Sequence, residues 1–287
     1  MPFATIDGIR TNYEVLGDGE PLLMFSPGGF NATIDNWRTF SIYKRLRLLD
    51  HLPHELACIV FDKRESGRSG GRVETLSWSL YARQGVGLLD HLGIERAHLL
   101  GGCIGCSIAA TVATQHPERV ERVVLYSPAG GPHYRETQLG RFRTHAELVR
   151  AKGLKAVVEL ARAEGKTFAQ EPRLGPWASV LRLDGEFAEE YVKRDPAEYL
   201  ALVDQTARRL FAGDEVPGGR FTAEAPALVV PGGDENHTPE AAQSLAQALP
   251  NAELWDVAID EQTEQTAPAR ILRFLQSSDS PRSSAAI

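Results

Sequence analysis

The sequence predicts an α/β fold: a doubly wound, mostly parallel sheet with an inserted set of helices. Five short, continuous apolar runs, PLLMFSP, ELACIVFD, AHLLGG, RVVLYSP and ALVVPGG, each end in Gly, Pro or Asp and have the character of parallel strands buried on both faces. Segments of helical spacing lie between or after them at residues 80–92, 104–116, 239–248 and 268–275, so strand and helix alternate. The alternation stops once. Between RVVLYSP and ALVVPGG there is no strand-like run, only amphipathic stretches at 145–163, 185–193 and 196–211, separated by EPRLGP and EVPGG.

At the N-terminus, FATIDG and IRTNYEVLG alternate apolar and polar residues and are expected to pair as antiparallel strands ahead of the parallel set. Residues 1–130 and 220–276 then form one core, 131–219 an inserted helical cap, and 277–287 have the composition of a disordered tail. A single large core with one insertion suits 287 residues, and 43% hydrophobic with 24% charged residues is ordinary globular usage. The net charge of -7 supplies no positive field for phosphate backbones or anionic membranes, so neither nucleic acid nor membrane is an expected partner. The uncharged run at 97–117 contains three glycines and two histidines and divides into a strand and a helix rather than a membrane span. Three cysteines make no disulfide framework and MPFATIDGIR has no signal-peptide character, so the expected setting is the reducing cytoplasm.

The most specific local feature is His98-Leu-Leu-Gly-Gly-Cys-Ile-Gly-Cys-Ser, where an apolar strand runs through Gly101-Gly102-Cys103-Ile104-Gly105 into a helix. This is the pattern of a nucleophile elbow, G-x-nucleophile-x-G, with cysteine at its centre; the glycines leave room for strand and helix to close around a strained turn. Cys106 completes a C-x-x-C spacing, but the surroundings are not thioredoxin-like, and Cys58, inside ACIVFD, is a core residue by context. His133, in SPAGGPHY, follows the carboxyl end of a strand, where open α/β sheets bind ligands, and is a candidate pocket residue. No His, Cys, Asp or Glu grouping has metal-ligand spacing, and no G-x-G-x-x-G or P-loop occurs, so no metal or other cofactor is implied.

Over nearly its whole length the chain resembles the α/β-hydrolase superfamily. The resemblance is carried by PLLMFSPGGF with Trp37, by VFDKRESGRSGG (a D-x-R-x-x-G-x-S loop), by LLDHLGIERAHLLGGCIGC and HPERVERVVLYSP, by PALVVPGGDENHTPEAAQSLAQALPNAEL and by APARILRFL. It implies Cys103 as nucleophile, the backbone N–H of Ile104 with that of Gly28 or Gly29 as an oxyanion hole, and Asp234 or Glu235 as the acid of a triad. The chain departs from the family where Gly-His is expected after NAELWDV, for it has AIDEQTEQT. A thiol ionises near pKa ~8.5 and a helix N-terminus lowers that, so Cys103 is expected to ionise without a dedicated base. Breakdown of a thioester still requires a base, and His237, three residues beyond Asp234, is the candidate.

The cap supplies specificity in this superfamily. Arg173 and Arg182, flanking Trp177, are the candidates to hold a substrate carboxylate. The leading reading is a cofactor-free cysteine hydrolase or acyl-transfer enzyme acting on a small ester, lactone or thioester, carboxylated if a cap arginine faces the pocket. A carbon–carbon bond hydrolase or lyase on the same scaffold and a non-catalytic ligand-binding member are the alternatives.

Overall fold

The computed structural model describes residues 2–212 and 223–277. Eight strands, β1 (Phe3–Ile6), β2 (Ile9–Leu16), β3 (Glu20–Phe25), β4 (Leu56–Phe61), β5 (Ala97–Gly102), β6 (Val120–Tyr126), β7 (Ala227–Val230) and β8 (Ala252–Leu254), form one sheet in the order β1-β2-β4-β3-β5-β6-β7-β8. β2 is antiparallel to both β1 and β4, and every other neighbouring pair is parallel. The apolar runs occupy the centre of the sheet, where β5 is buried at every position. β8 is the strand the hydrophobic pattern does not announce. Its three residues, Ala-Glu-Leu, lie at the sheet edge and are only partly buried.

Three short helices, α1 (Asn36–Thr39), α2 (Ser41–Leu46) and α3 (Leu48–His51), follow the loop after β3. α4 (Trp78–His91) leads to β5, and α5 (Gly105–Gln115) leads from β5 to β6. Between β6 and β7 come α6 (Gly131–Ala163), α7 (Ala178–Leu183), α8 (Gly185–Val192) and α9 (Pro196–Phe211); α10 (Pro239–Ala248) and α11 (Thr266–Leu275) complete the chain. The helix expected from residue 145 thus begins at Gly131 and bends at Gly153, where the backbone takes φ 74° and ψ 177°. Its first turns are too polar for periodicity to reveal, yet Tyr134, Gln138, Phe142 and His145 are all buried along it. The boundary expected at residues 219 and 220 lies outside the described residues, as does the expected tail at 277–287 apart from Ser277.

The helices between β6 and β7 are fastened to the sheet by aromatic packing. Phe30, from the loop after β3, packs edge-to-face with Phe142, Phe168 and Phe211, and Trp177 Nε1 donates to the Arg72 carbonyl at 2.9 Å. His145 is buried and donates from Nδ1 to the Arg173 carbonyl (2.8 Å) while Nε2 accepts from the Tyr199 hydroxyl (2.7 Å). Burial lowers its pKa to about 4, so it is a neutral structural imidazole.

The turn from β5 into α5 is a close crossing of backbones. A Cβ on Gly101 would press into the Gly105 carbonyl, and one on Gly105 into the Phe25 carbonyl, both inside contact distance. Gly105→Ala should therefore cost about 3 kcal/mol. Gly165→Ala, where nothing lies within 4 Å, should stay within about 0.5 kcal/mol of the parent. Urea unfolding of the two variants side by side tests this, and equal midpoints would refute the steric account.

Candidate active site

Cys103 sits at the end of β5 with φ 54°, a left-handed backbone that non-glycine residues adopt only under constraint. The constraint is visible. The Cys103 N–H donates to the Tyr126 carbonyl at 3.2 Å, and the same carbonyl accepts the Tyr43 hydroxyl at 2.9 Å. Cys106 faces the other way: its thiol donates to the Gly101 carbonyl at 3.1 Å, and burial, with the charge of Cys103, holds it well above the ordinary thiol range. Cys58 is a core residue whose thiol is pushed up to about 12 by burial.

Opposite the elbow, the loop after β3 makes a single 3-10 turn, Gly29–Asn31, preceded by Gly28 at φ 115°. Asn36 Nδ2 donates to the carbonyls of Pro27 (2.7 Å) and Asn31 (2.6 Å) and lies against Gly28, whose hydrogen is all that fits. The D-x-R-x-x-G-x-S segment clamps this loop from below. Asp62 accepts N–H bonds from Ile34 (2.9 Å) and Arg68 (2.8 Å), and the Ser66 hydroxyl donates to the Phe30 carbonyl (3.0 Å). Beside it, Lys63 is buried with its ammonium 4.0 Å from the Tyr81 ring centre and 5.5 Å from that of Phe30, and burial lowers its pKa to about 8.

The third element is the loop after β7. Asp234 accepts the backbone N–H groups of Asn236 (2.9 Å) and His237 (3.1 Å) and the His237 Nδ1–H at 2.7 Å. With its proton fixed on Nδ1, the imidazole presents Nε2, which is buried, has no hydrogen-bond partner of good geometry and neighbours the Cys103 thiol. Burial opposes ionisation of Cys103, but the charge of the neighbouring His237, with the backbone N–H groups of Gly28 and Ile104, holds the thiol below its ordinary value. Burial likewise opposes charging of His237, yet the Cys103 thiolate and Asp234 carry its pKa up to about 9. Each group thus favours the charged form of the other, the thiol drawn down and the imidazole drawn up. The N-terminus of α5, through the Ile104 N–H, is thus joined by a second lowering influence that the sequence reading did not count, the histidine, which is the larger of the two.

In the segment after β8, where the family pattern has Gly-His, the buried polar residue is Gln262. It accepts the Tyr126 hydroxyl at 2.8 Å and donates to the Pro231 carbonyl at 2.9 Å.

Cys103, His237, Gly28 and Gly29 line one cavity of about 350 Å³, roofed by Tyr134, Gln138 and Arg141 from α6 and by residues 167–170. Four candidates from the sequence lie elsewhere. Arg173 is half exposed and paired with Glu171 at 2.7 Å; Arg182 donates to the carbonyls of Glu164 and Lys166, both at 3.1 Å. Trp177 is wholly buried as a packing residue, and His133 is exposed beside the still more exposed Glu235 at 3.5 Å. Arg141 is one of the cap arginines that the sequence reading passed over in favour of Arg173 and Arg182; its i, i+4, i+7 spacing with Tyr134 and Gln138 singles it out once α6 is known to start at 131. A larger cavity of about 550 Å³ between α6 and α9 contains neither Cys103 nor His237. Among the described residues no group of three or more His, Cys, Asp or Glu side chains is arranged to hold a metal ion, and no helix is long and apolar enough to cross a membrane.

If His237 sets the charge on Cys103, then His237→Ala should slow alkylation of Cys103 by iodoacetamide at pH 6–7 about tenfold, because the thiolate loses its counter-charge. Thiol-specific labelling followed by peptide mass mapping measures it. An unchanged rate would return the ionisation to the helix terminus.

A family model described as alpha/beta hydrolase fold matches residues 21–258. The chain is 30% identical, over 83% of its length and 58% of the relative's, to the dihydrolipoyllysine-residue acetyltransferase component of the acetoin cleaving system of Cupriavidus necator. It is also 30% identical, over 85% of its length and 82% of the relative's, to the 2-hydroxy-6-oxononadienedioate/2-hydroxy-6-oxononatrienedioate hydrolase of Paraburkholderia phymatum. The chain spans roughly two fifths to three fifths of the length of the first curated relatives it matches. Among solved structures, the enol-lactonase of Burkholderia xenovorans LB400 superposes with a TM-score of 0.61 at 22% identity, covering 96% of this chain and 100% of that one.

Proposed function

The chain belongs to the α/β-hydrolase fold family, and from that premise we propose that it is a cofactor-free cysteine hydrolase of small esters, lactones or thioesters. The observation that carries the reading is the Asp234–His237–Cys103 series, which ends on a strained left-handed cysteine inside a cavity it shares with Gly28 and Gly29. In this reading residues 131–219 are the cap over a core of 1–130 and 220–276. Three unpaired thiols support a reducing cytoplasmic setting.

The chemistry follows from the charges. The Cys103 thiolate attacks the substrate carbonyl, and the carbonyl electron pair moves onto oxygen, facing the N–H groups of Ile104 and of Gly28 or Gly29. As the tetrahedral species collapses, the departing alkoxide or thiolate takes the proton from His237 Nε2, leaving a thioester and a neutral imidazole. Acylation removes the negative charge that held the His237 pKa up, so the ring returns toward the ordinary histidine range of ~6.5 and is neutral where it must serve as base. His237 then takes a proton from water, hydroxide equivalent adds to the thioester, and collapse releases the acid and restores the thiolate.

The sign of the pH dependence is fixed by the raised histidine. Free enzyme holds the imidazolium below pH about 9 and loses it above, so acylation by esters with poor leaving groups should decline as pH rises through that value. Activated 4-nitrophenyl acetate, whose leaving group needs no proton, should still give a burst and an acyl adduct in the intact mass. His237→Ala should retain that burst at pH 9–10, where the thiolate forms unaided, while steady-state turnover falls by roughly 10²–10⁴. Cys103→Ala should give neither burst nor adduct, and an adduct persisting in that variant would remove Cys103 from the reaction.

A second reading, hydrolysis of a carbon–carbon bond on the same scaffold, is favoured by the match over 82% of the relative named as an oxononadienedioate hydrolase. It requires no acyl-cysteine, so the adduct separates the two readings.

A further inference from the structure

Arg141 is the single Lys, Arg, Asp or Glu side chain among the described residues that line the cavity of Cys103. Three other arginines of the same helical segment are neutralised locally, Arg143 by Glu136, Arg173 by Glu171 and Arg208 by Asp204, and none of the segment's remaining arginines lines this cavity. Arg141 has no ion pair with any described residue. One turn before it on α6, Gln138 is only 5% exposed, lines the same cavity and makes no side-chain hydrogen bond to another described residue. An amide and a guanidinium without protein partners, facing a space of about 350 Å³, leave donors free to take a ligand.

The charges of the cavity specify which ligand. Asp234 stands behind the imidazole, bonded to its Nδ1, and the wall of the cavity formed by α6 carries the positive charge of Arg141 alone, although the whole chain carries -7. One planar guanidinium fork matches one carboxylate bidentately, whereas a phosphate dianion would call for more donors than a single arginine and an amide supply. Tyr134, Gln138 and Arg141 stand on one face of α6, and seven residues of helix separate the first from the last by about 10 Å. Cys103, Tyr134 and Arg141 line the same cavity, so the helix presents its cation to the space that holds the reacting sulfur.

We propose that the substrate carries a carboxylate several bonds from its reacting carbonyl, held by the Arg141 guanidinium with the Gln138 amide as a second donor; the inference rests on Cys103 being the nucleophile of this cavity. The test compares mono-4-nitrophenyl glutarate with uncharged 4-nitrophenyl pentanoate. The parent enzyme should favour the glutarate ester in kcat/KM by about ten- to a hundredfold, the range of a charge-assisted hydrogen bond. Arg141→Met should bring the ratio close to one, and Arg141→Lys, which keeps the charge without the fork, should restore part of it. Absence of preference in the parent, or its survival in Arg141→Met, overturns the proposal. Calorimetric binding of glutarate, which needs no turnover, should weaken at least tenfold in Arg141→Met. Glutarate binding that depends on Arg141 in a protein with no esterase turnover would keep the carboxylate site and remove the hydrolase reading. Turnover with neither preference nor binding would do the reverse.

Discussion

The backbone crossing at the end of β5 is the constraint on which the remaining structure depends. Because Gly101 and Gly105 lack side chains, α5 can start against the carbonyl of Phe25 with no room for a gradual bend, and Cys103 is forced to φ 54°. A left-handed cysteine costs on the order of 1–2 kcal/mol. The Tyr126 carbonyl, which holds both the Cys103 N–H and the Tyr43 hydroxyl, and the burial of the surrounding strands offset that cost. The functional consequence is directional: the sharp turn lifts the sulfur out of the sheet toward Gly28 and His237, while Cys106, on the first turn of α5, points back at the Gly101 carbonyl.

A second consequence concerns how acid and base are kept in register. In this chain Asp234 and His237 share one turn, so a single carboxylate fixes the backbone of Asn236 and His237 as well as the imidazole proton. Their relative position is set by local geometry and needs no docking of a distant segment. The segment after β8 then carries no imidazole and takes a structural part through Gln262, which binds the Tyr126 hydroxyl and the Pro231 carbonyl. Tyr126 joins both arrangements, its carbonyl steadying the elbow and its hydroxyl tying down the C-terminal segment.

What could be read from the sequence divides along the same physical line. Features fixed by local sterics or continuous burial were legible: the apolar strands, the paired glycines about Cys103 and the three-residue spacing of Asp234 and His237. Features fixed by packing across the chain were not. The early turns of α6 are polar and gave no periodic signal, because Phe142 and His145 are buried by Phe30, Phe168 and Tyr199 from other segments. Arg173 illustrates the converse error. Glu171, two residues away, neutralises it, and that neighbour was visible in the sequence, whereas the isolation of Arg141 depends on the absence of acids across a three-dimensional cavity.

The orientation of α6 settles why Arg141 can stay uncompensated. An arginine placed by an ion pair would need an acid beside it, and that acid would cancel the field it brings to the cavity. Here the helix is instead held by Tyr134, Phe142 and Val149, which are buried, and by the His145 hydrogen bonds to Arg173 and Tyr199. Rotating α6 by one residue, about 100°, would bring Arg141 away from the cavity only by unpacking Phe142 from Phe30 and Phe168 and stranding a buried imidazole. Packing energy on one part of the helix therefore holds an unpaired charge on another. The same aromatic contacts that seat the inserted helices on the loop carrying Gly28 and Gly29 also fix the distance from the guanidinium to Cys103.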